Sequence, residues 1–323
     1  MIAARLPCWL CAFLMALGPA ALAQAPAADV SPLVIFIGSP PGTPGDAVAR
    51  IIGGPLGVEL GRPVVVENRP GAIGTIAMAA VARARPDGSV LGILGLQAVV
   101  AQHLLPAMPY DTLRDLAPVR QVSSVSNVLV VRGDGPLATL EDVLAASRKG
   151  GLTYASGGNG TPAHLAAELF RQSLHLQMLH VPFTGAVAGV AAVMGGHVDM
   201  MFSTAPAALG PLKSGKLRAL AVSAAARIPT LSDVPTLAEL GHAGLSVRDW
   251  HGLVAPAQTP PEVVAKIGAA VDKVLAAPAV SERLAQAGLE STRAAGSEGL
   301  ELLIRTESRR WADVVKSANI KAD

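Results

Sequence analysis

Three times in this 323-residue chain an apolar run stops at a cluster of Gly, Ser, Thr and Pro that leads into helix-forming sequence. The junctions are Ile35 to Asp46 (IFIGSPPGTPGD), Leu152 to Pro162 (LTYASGGNGTP) and Met200 to Pro206 (MMFSTAP). A strand that is apolar without alternation is covered on both faces, as in a parallel sheet with helices on each side. The junction also has a chemical consequence. The first N–H groups of a helix lack an intrahelical partner, and the helix dipole places positive potential there. A strand ending in small polar residues at a helix start is therefore an anion pocket. Two such edges facing each other would hold a small carboxylate without a charged side chain.

The same alternation covers the chain. Leu33–Ile37, Val64–Val66 and Val90–Leu94 read as strands, with helices over Asp46–Leu60 and Ile73–Arg85 between them. Val48, Ile51, Ile52, Leu56 and Leu60 share one face of the first helix, which ends at Gly61. This set is a doubly wound half-domain. A second set has strands at Val128–Val131, Leu152–Ala155, Met178–Val181, Val198–Phe202 and Leu217–Val222. Its helices fall at Leu137–Lys149, His164–Ser173, Ala186–Met194 and Pro206–Lys213. A strand at Leu253–Ala255 and helices at Pro261–Leu275, Ala279–Ala287 and Ser297–Ala318 then return to the first domain, since a helical cap alone would have no sheet to cover. Val119–Asn127 and Leu245–Trp250 are expected to cross between the domains, and two crossings allow closure over a cleft. The crevice lies at the carboxyl ends of the strands, where the clusters sit.

The N-terminus carries its own signature. Met1–Arg5 is a short positive start, Leu10–Leu17 an uncharged apolar run, and Ala21-Leu22-Ala23 an A-x-A site. Residues 1–23 therefore read as a cleavable export signal with Gln24 as the first mature residue, too short to span a bilayer. Both cysteines, Cys8 and Cys11, lie inside it, so the mature chain is expected to hold no disulfide and no thiol nucleophile. Pro7 before Cys8 argues against a lipid anchor. Losing Arg5 takes the formal charge from +2 to +1. With no basic stripe interleaved with aromatics, nucleic acid is excluded as a partner.

Catalytic signatures are missing from the sequence. Ser156–Thr161 lacks the Lys-Ser/Thr pair of a P-loop, and Gly158-Asn159-Gly160 does not extend into a dinucleotide fingerprint. No G-x-S-x-G, S-x-x-K or H-E-x-x-H occurs. His175 and His180 lie on either side of a strand start without metal-ligand spacing. No metal, cofactor or catalytic residue is expected. His164, early in its helix, reads either as a donor to a bound anion or as a packing or capping histidine. Asp46 is favoured as the cap of the helix it opens, paired with Arg50 at i,i+4, over a ligand contact. Ser203 or Thr204 is expected to cap the helix at Pro206 with its hydroxyl toward the crevice. Trp250 reads as a core or hinge aromatic, or as a lid.

Several stretches carry a family resemblance. They include PVVVENRPGA (Pro63–Ala72), Pro86-Asp87-Gly88, Pro109-Tyr110-Asp111, LTYASGGNG (Leu152–Gly160) with His164-Leu165-Ala166, and His180-Val181-Pro182-Phe183. GHVDMMF (Gly196–Phe202), GKLRALAV (Gly215–Val222), Asp233-Val234-Pro235-Thr236 and PAQTP (Pro256–Pro260) complete the set in order along nearly the whole mature chain. The chain resembles the periplasmic solute-binding receptors of tripartite tricarboxylate transporters, the Bug receptors. The resemblance implies an α/β, two-lobed Venus-flytrap binding protein of type II-like form, each lobe a doubly wound sheet flanked by helices, joined by two crossover strands. Residues 24–124 and 252–323 would form one lobe and 125–251 the other. It implies capture of a small mono- or dicarboxylate by loop amides, hydroxyls and ordered water from both lobes. By position, the ligand-facing residues are Ser39, Gly42, Thr43 and Gln97 (within Leu96–Ala98) on one lobe. On the other they are Ser156, Gly158, Asn159, Thr161, His164, Phe183, Thr184, Ala186, Ser203 and Thr204.

Some positions depart from the family pattern. Gly42-Thr43-Pro44-Gly45 replaces a Gly-Gly-Gly-Thr run, Gln97 stands where Ser or Thr is frequent, and His251 follows Trp250 where an apolar aromatic is common. Ser203 replaces an Asp found in many members, which removes a partner for a ligand ammonium group and favours a plain mono- or dicarboxylate. The resulting expectation is a monomeric periplasmic receptor, not an enzyme, serving integral-membrane transporter subunits. The alternative is a periplasmic sensor docking on a membrane signalling protein. An exported hydrolase would need a nucleophile–base pair that the sequence does not assemble.

Overall fold

The computed structural model describes residues 31–292 and 296–321. The signal segment 1–23, Cys8, Cys11 and Gln24 fall outside them. Among the described residues ten strands form one sheet in the order β2-β1-β3-β9-β4-β7-β5-β6, with β8 and β10 also paired to β4. The strands are β1 Leu33–Ile37, β2 Val64–Asn68, β3 Val90–Gly95, β4 Leu116–Arg132, β5 Leu152–Ser156, β6 Met178–Pro182, β7 Met200–Thr204, β8 Leu217–Ser223, β9 Arg248–Pro256 and β10 Glu290–Ser291. The helices are α1 Pro44–Leu60, α2 Thr75–Ala82, α3 Leu96–Leu104, α4 Leu140–Lys149, α5 Pro162–Ser173, α6 Ala186–Met194, α7 Ala205–Lys213, α8 Pro261–Ala276, α9 Pro278–Gln286 and α10 Gly296–Ala318.

Two parallel groups share this sheet. β1 runs parallel to β2 and β3, and β5 runs parallel to β6 and β7. The groups meet on β4, whose 17 residues pair antiparallel with β9 over 116–126 and with β7 and β8 over 127–132. The expected crossing at Val119–Asn127 is thus the middle of one unbroken strand that also contains Val128–Val131. The second crossing is tighter: the Val247 N–H donates to Ser223 of β8, while Arg248 already pairs with Ser126 of β4.

Apolar burial explains why these elements hold. β1 is almost wholly buried between helices, and Ile35, Ile37, Ile52, Leu56, Leu91 and Leu253 join one core with α8 and α9. A second core beneath α10 contains Trp250, Trp311, Phe170 and Phe202, and a third lies under α6 and α7. α10 touches both groups of the sheet. Its Ser308 bonds Gln102 and His103 of α3, and its Ser317 donates to Gln172 of α5.

Several expectations need correction. Leu96–Ala98 is the first turn of α3, which follows directly on Gly95, the last residue of β3. The Ile73–Arg85 helix is shorter, Thr75–Ala82, because Ile73 (φ 58°) and Gly74 (φ 85°) form a left-handed turn before it. Asp46 does not open α1: Thr43 is its N-cap, Pro44 takes the first position where proline fits, and Asp46 lies in the first turn. Ser203 is inside β7, wholly buried, and Thr204 occupies the α7 N-cap position without a side-chain cap bond. Trp250 is 2 % exposed within the core, so it is no lid.

Candidate functional site

The register of β4 sets the geometry of the cleft. Gly95, the end of β3, pairs with His251, which pairs with Ser123; Thr204, the end of β7, pairs with Asn127. The carboxyl ends of the two parallel groups therefore face each other across four residues of β4, about 13 Å of extended chain. Ser123, Ser124, Ser126 and Asn127 in that span are buried and polar.

On the first rim, α1 and α3 begin without side-chain caps. First-turn N–H groups at these positive helix ends lack intrahelical partners, and on α3 the Leu96 N–H is taken by the Asp249 carboxylate. The turn before α1 is held by its own residues. The Ser39 and Thr43 hydroxyls are 2.7 Å apart, and Thr43 Oγ1 donates to the Pro40 carbonyl at 2.8 Å. The Gly42 N–H, Arg50 Nε and Asn68 Nδ2 each reach the buried Asp46 carboxylate at 2.9 Å. Burial opposes ionisation of Asp46, but these three donors outweigh it and set its pKa below the usual carboxylate value. The Arg50 pairing matches the expected i,i+4 spacing. Asp46 is thus a structural clamp.

A cavity of about 450 Å³, measured out to its open mouth, lies on this rim and is lined by Ser39, Gly45, Ile93, Gln97, Asp249 and His251 among others. Asp249 accepts from the Trp250 N–H at 2.9 Å and from the Leu96 N–H at the start of α3. Burial raises its pKa, with His251 and these two amides acting in the opposite sense. His251 Nδ1 lies 3.1 Å from Ser123 Oγ, and burial holds the ring's pKa below that of a free histidine. Asp249 carries no signal of its own in the sequence. It reaches the cavity only through the β3–β9 register.

The second rim is built differently. Thr161 caps α5, accepting from the His164 N–H at 3.4 Å and donating to the Gly158 carbonyl at 2.7 Å. Ser156 Oγ accepts from the Gly158 N–H at 3.1 Å and lies 2.7 Å from His180 Nε2. His164 Nδ1 accepts from the Gly160 N–H at 3.1 Å, so the ring serves the loop as an acceptor. Burial first, then the neighbouring His180, lowers the His164 pKa to about 4. Behind it, Tyr154 donates to the buried Glu168, which Arg171 also binds. The hydroxyls of Ser156 and Thr161 are therefore committed to their own loop, which also holds Asn159. The open donors lie beside it. α6 begins at Ala186 after Phe183 and the exposed Thr184, and α7 begins at Ala205; neither has a side-chain cap. Ser203 turns its hydroxyl to the Thr204 carbonyl at 3.1 Å.

The second rim comes close to α3 at Gly160. A Cβ on Gly160 (φ +71°) would collide with Leu104 Cδ1 of α3. Among the described residues no three His, Cys, Asp or Glu side chains gather as a metal site, and no helix is long and apolar enough to cross a membrane.

Comparison with known proteins agrees with this architecture. The sequence model of the family described as "Tripartite tricarboxylate transporter family receptor" (TctC) matches residues 48–320. Protein BugT of Bordetella pertussis is 33 % identical over 313 residues, covering 96 % of each chain. The structure of the periplasmic binding protein BugD superposes with a TM-score of 0.80 at 31 % identity, covering 90 % of this chain and 99 % of BugD. MatC from Rhodopseudomonas palustris, solved with bound malate, superposes at 0.78 with 33 % identity, covering 88 % of this chain and 99 % of its own. The chain belongs to the tripartite tricarboxylate transporter receptor family, has the two-lobed α/β fold of its periplasmic binding proteins, and is a solute-binding receptor rather than an enzyme.

Proposed function

We propose that the cleft between the two rims captures a small organic acid and that the loaded receptor presents it to the integral-membrane subunits of a tripartite tricarboxylate-type transporter. The supporting observation is the pair of facing strand-end rims separated by Ser123–Asn127 of β4. Each carries a helix start without a side-chain cap: α1 on one side, α6 and α7 on the other, while the α3 start is held by Asp249. Charge-assisted bonds from such amides to a carboxylate are short and about twice as strong as neutral ones. The malate held by MatC supports an organic acid as the occupant.

In this reading residues 24–124 with 252–323 move against 125–251 about β4 and the 247–248 joint, and closure is what the membrane partner reads. Ser39, Gly42, Thr43, Gln97, Thr184, Ala186 and Thr204 face the ligand, while Ser156, Gly158, Asn159, Thr161, His164, Phe183 and Ser203 shape the rim behind it. Export by residues 1–23 would place a monomer in the periplasm.

A thermal-shift screen of the mature chain against mono-, di- and tricarboxylates, followed by calorimetry, tests this. A ligand that binds only the native state raises the melting temperature. A complete panel without any shift would refute the assignment.

A further inference from the structure

The first-rim cavity has a charge that a receptor for a dicarboxylate would not want. Its lining includes Ser39, Gln97, Asp249 and His251 but no Lys or Arg. Asp249 is 8 % exposed; burial raises its pKa, and the Trp250 and Leu96 amides that fix it favour the carboxylate form against that. Leu96 is the first residue of α3, so the positive end of that helix already faces a carboxylate of the protein. His251 does not cancel the charge. Its Nε2 stands 3.8 Å from Asp249 Oδ2, beyond hydrogen-bond length, and burial disfavours the protonated ring.

A ligand carboxylate entering here would therefore meet a like charge with no counter-ion in the lining, in a poorly solvated site where repulsion is large. An ammonium group would meet an oriented carboxylate plus the Ser39 hydroxyl and the Gln97 amide oxygen. Ser203 of β7 offers only a hydroxyl, whereas Asp249 of β9 supplies a carboxylate on the opposite rim.

We infer that Asp249 makes the first rim a cation-accepting subsite, so that the receptor takes an amino-carboxylate with its carboxylate on the α6–α7 rim and its ammonium against Asp249. This rests on the carboxylate capture proposed above and specifies the class of acid.

The test is calorimetry on the mature protein with length-matched pairs: β-alanine against succinate, 4-aminobutanoate against glutarate, and 5-aminopentanoate against adipate. At least one amino acid should bind about tenfold or more tighter than its dicarboxylate partner. Asp249→Asn keeps the side-chain shape and an oxygen for the Trp250 amide. It should remove that preference while leaving the circular dichroism unchanged. Tighter binding of the dicarboxylates by the wild-type protein, which needs no variant to observe, would overturn the inference and leave carboxylate capture standing. So would a preference unchanged in Asp249→Asn. Failure of both series, with no response to any acid in the wider screen, would overturn carboxylate capture itself and this inference with it.

Discussion

The rings of His164 and His180 lie face to face, 3.9 Å between centroids and 11° from parallel. Tyr154 stacks against His180 as well, at 4.9 Å. Two stacked imidazoles in a buried site cannot both be cations at low cost, and the Gly160 N–H requires an unprotonated Nδ1 on His164. The second rim is thus built around a neutral histidine.

Acid should therefore weaken the fold through His164. Its pKa falls from 6.5 unfolded to about 4 folded, so as pH drops the unfolded chain takes the proton first. Stability should decline from about pH 6.5 to about pH 4 and then level off for this group, a loss of roughly 3 kcal/mol at most. His164→Asn can still accept from the Gly160 N–H but does not titrate. Urea midpoints measured across this range should be flatter for the variant, and parallel profiles would contradict the assignment.

Gly38 and Gly74 give a second test. A Cβ on Gly38 would lie 2.6 Å from the Gly74 Cα and 2.7 Å from its carbonyl oxygen, so only backbone could yield. Gly42 has a left-handed φ of +81°, but a methyl group there would find nothing within 4 Å. Gly38→Ala should cost more than about 2 kcal/mol and Gly42→Ala about 1 kcal/mol. Denaturant titration showing the reverse order would contradict the close packing of β1 on the turn before α2.

Much of this fold is legible in the sequence. Unbroken apolar runs such as Leu33–Ile37 read as buried strands, and Ala186–Met194 is bounded by glycines that match its ends. α3 is not legible, because LQAVVAQHL follows β3 with no residue between and continues its apolar character without a side-chain cap. The site divides the same way. Strand-end clusters mark the rims from composition alone, since glycine and hydroxyl residues gather where helices start. The Asp249–His251 arrangement and the His164–His180 stack depend on sheet register, Gly95 to His251 and Tyr154 to His180, which no local pattern encodes.

Asp46 should behave as a clamp for the first rim rather than as a ligand group. Asp46→Ala strands the Gly42 N–H, the Asn68 amide and Arg50, and should cost about 3 kcal/mol; Asp46→Asn, which keeps an acceptor, should cost about half of that. Its folded pKa lies below 3.8, so its contribution is complete above that value and is lost only as pH falls through the folded pKa. Asp46→Ala should accordingly narrow the stability gap to wild type only in strong acid. A gap that closes near pH 6 would point to another group.

Backbone donors of α6 can be removed one at a time. Ala186 is the first residue of the helix, where proline fits without breaking later bonds. Ala186→Pro should leave the circular dichroism unchanged and weaken a carboxylate about tenfold, the value of one charge-assisted bond. Unchanged affinity by calorimetry would move the carboxylate away from the α6 start.

The contact between Gly160 and Leu104 joins the rims and should couple binding to closure. Gly160→Ala drives a methyl into Leu104 Cδ1 and forces a left-handed φ of +71° on a residue with a side chain. Two separable costs follow. The conformational part, about 1 kcal/mol, belongs to the loop and should persist in any background. The steric part belongs to the approach of the rims, so truncating Leu104 should relieve it. In a double-mutant cycle Gly160→Ala should weaken ligand affinity far less in Leu104→Ala than in wild type, with a coupling of about 1 kcal/mol or more. Additive effects on affinity would mean that the two residues do not meet in the bound form, and that the closed cleft uses a different contact.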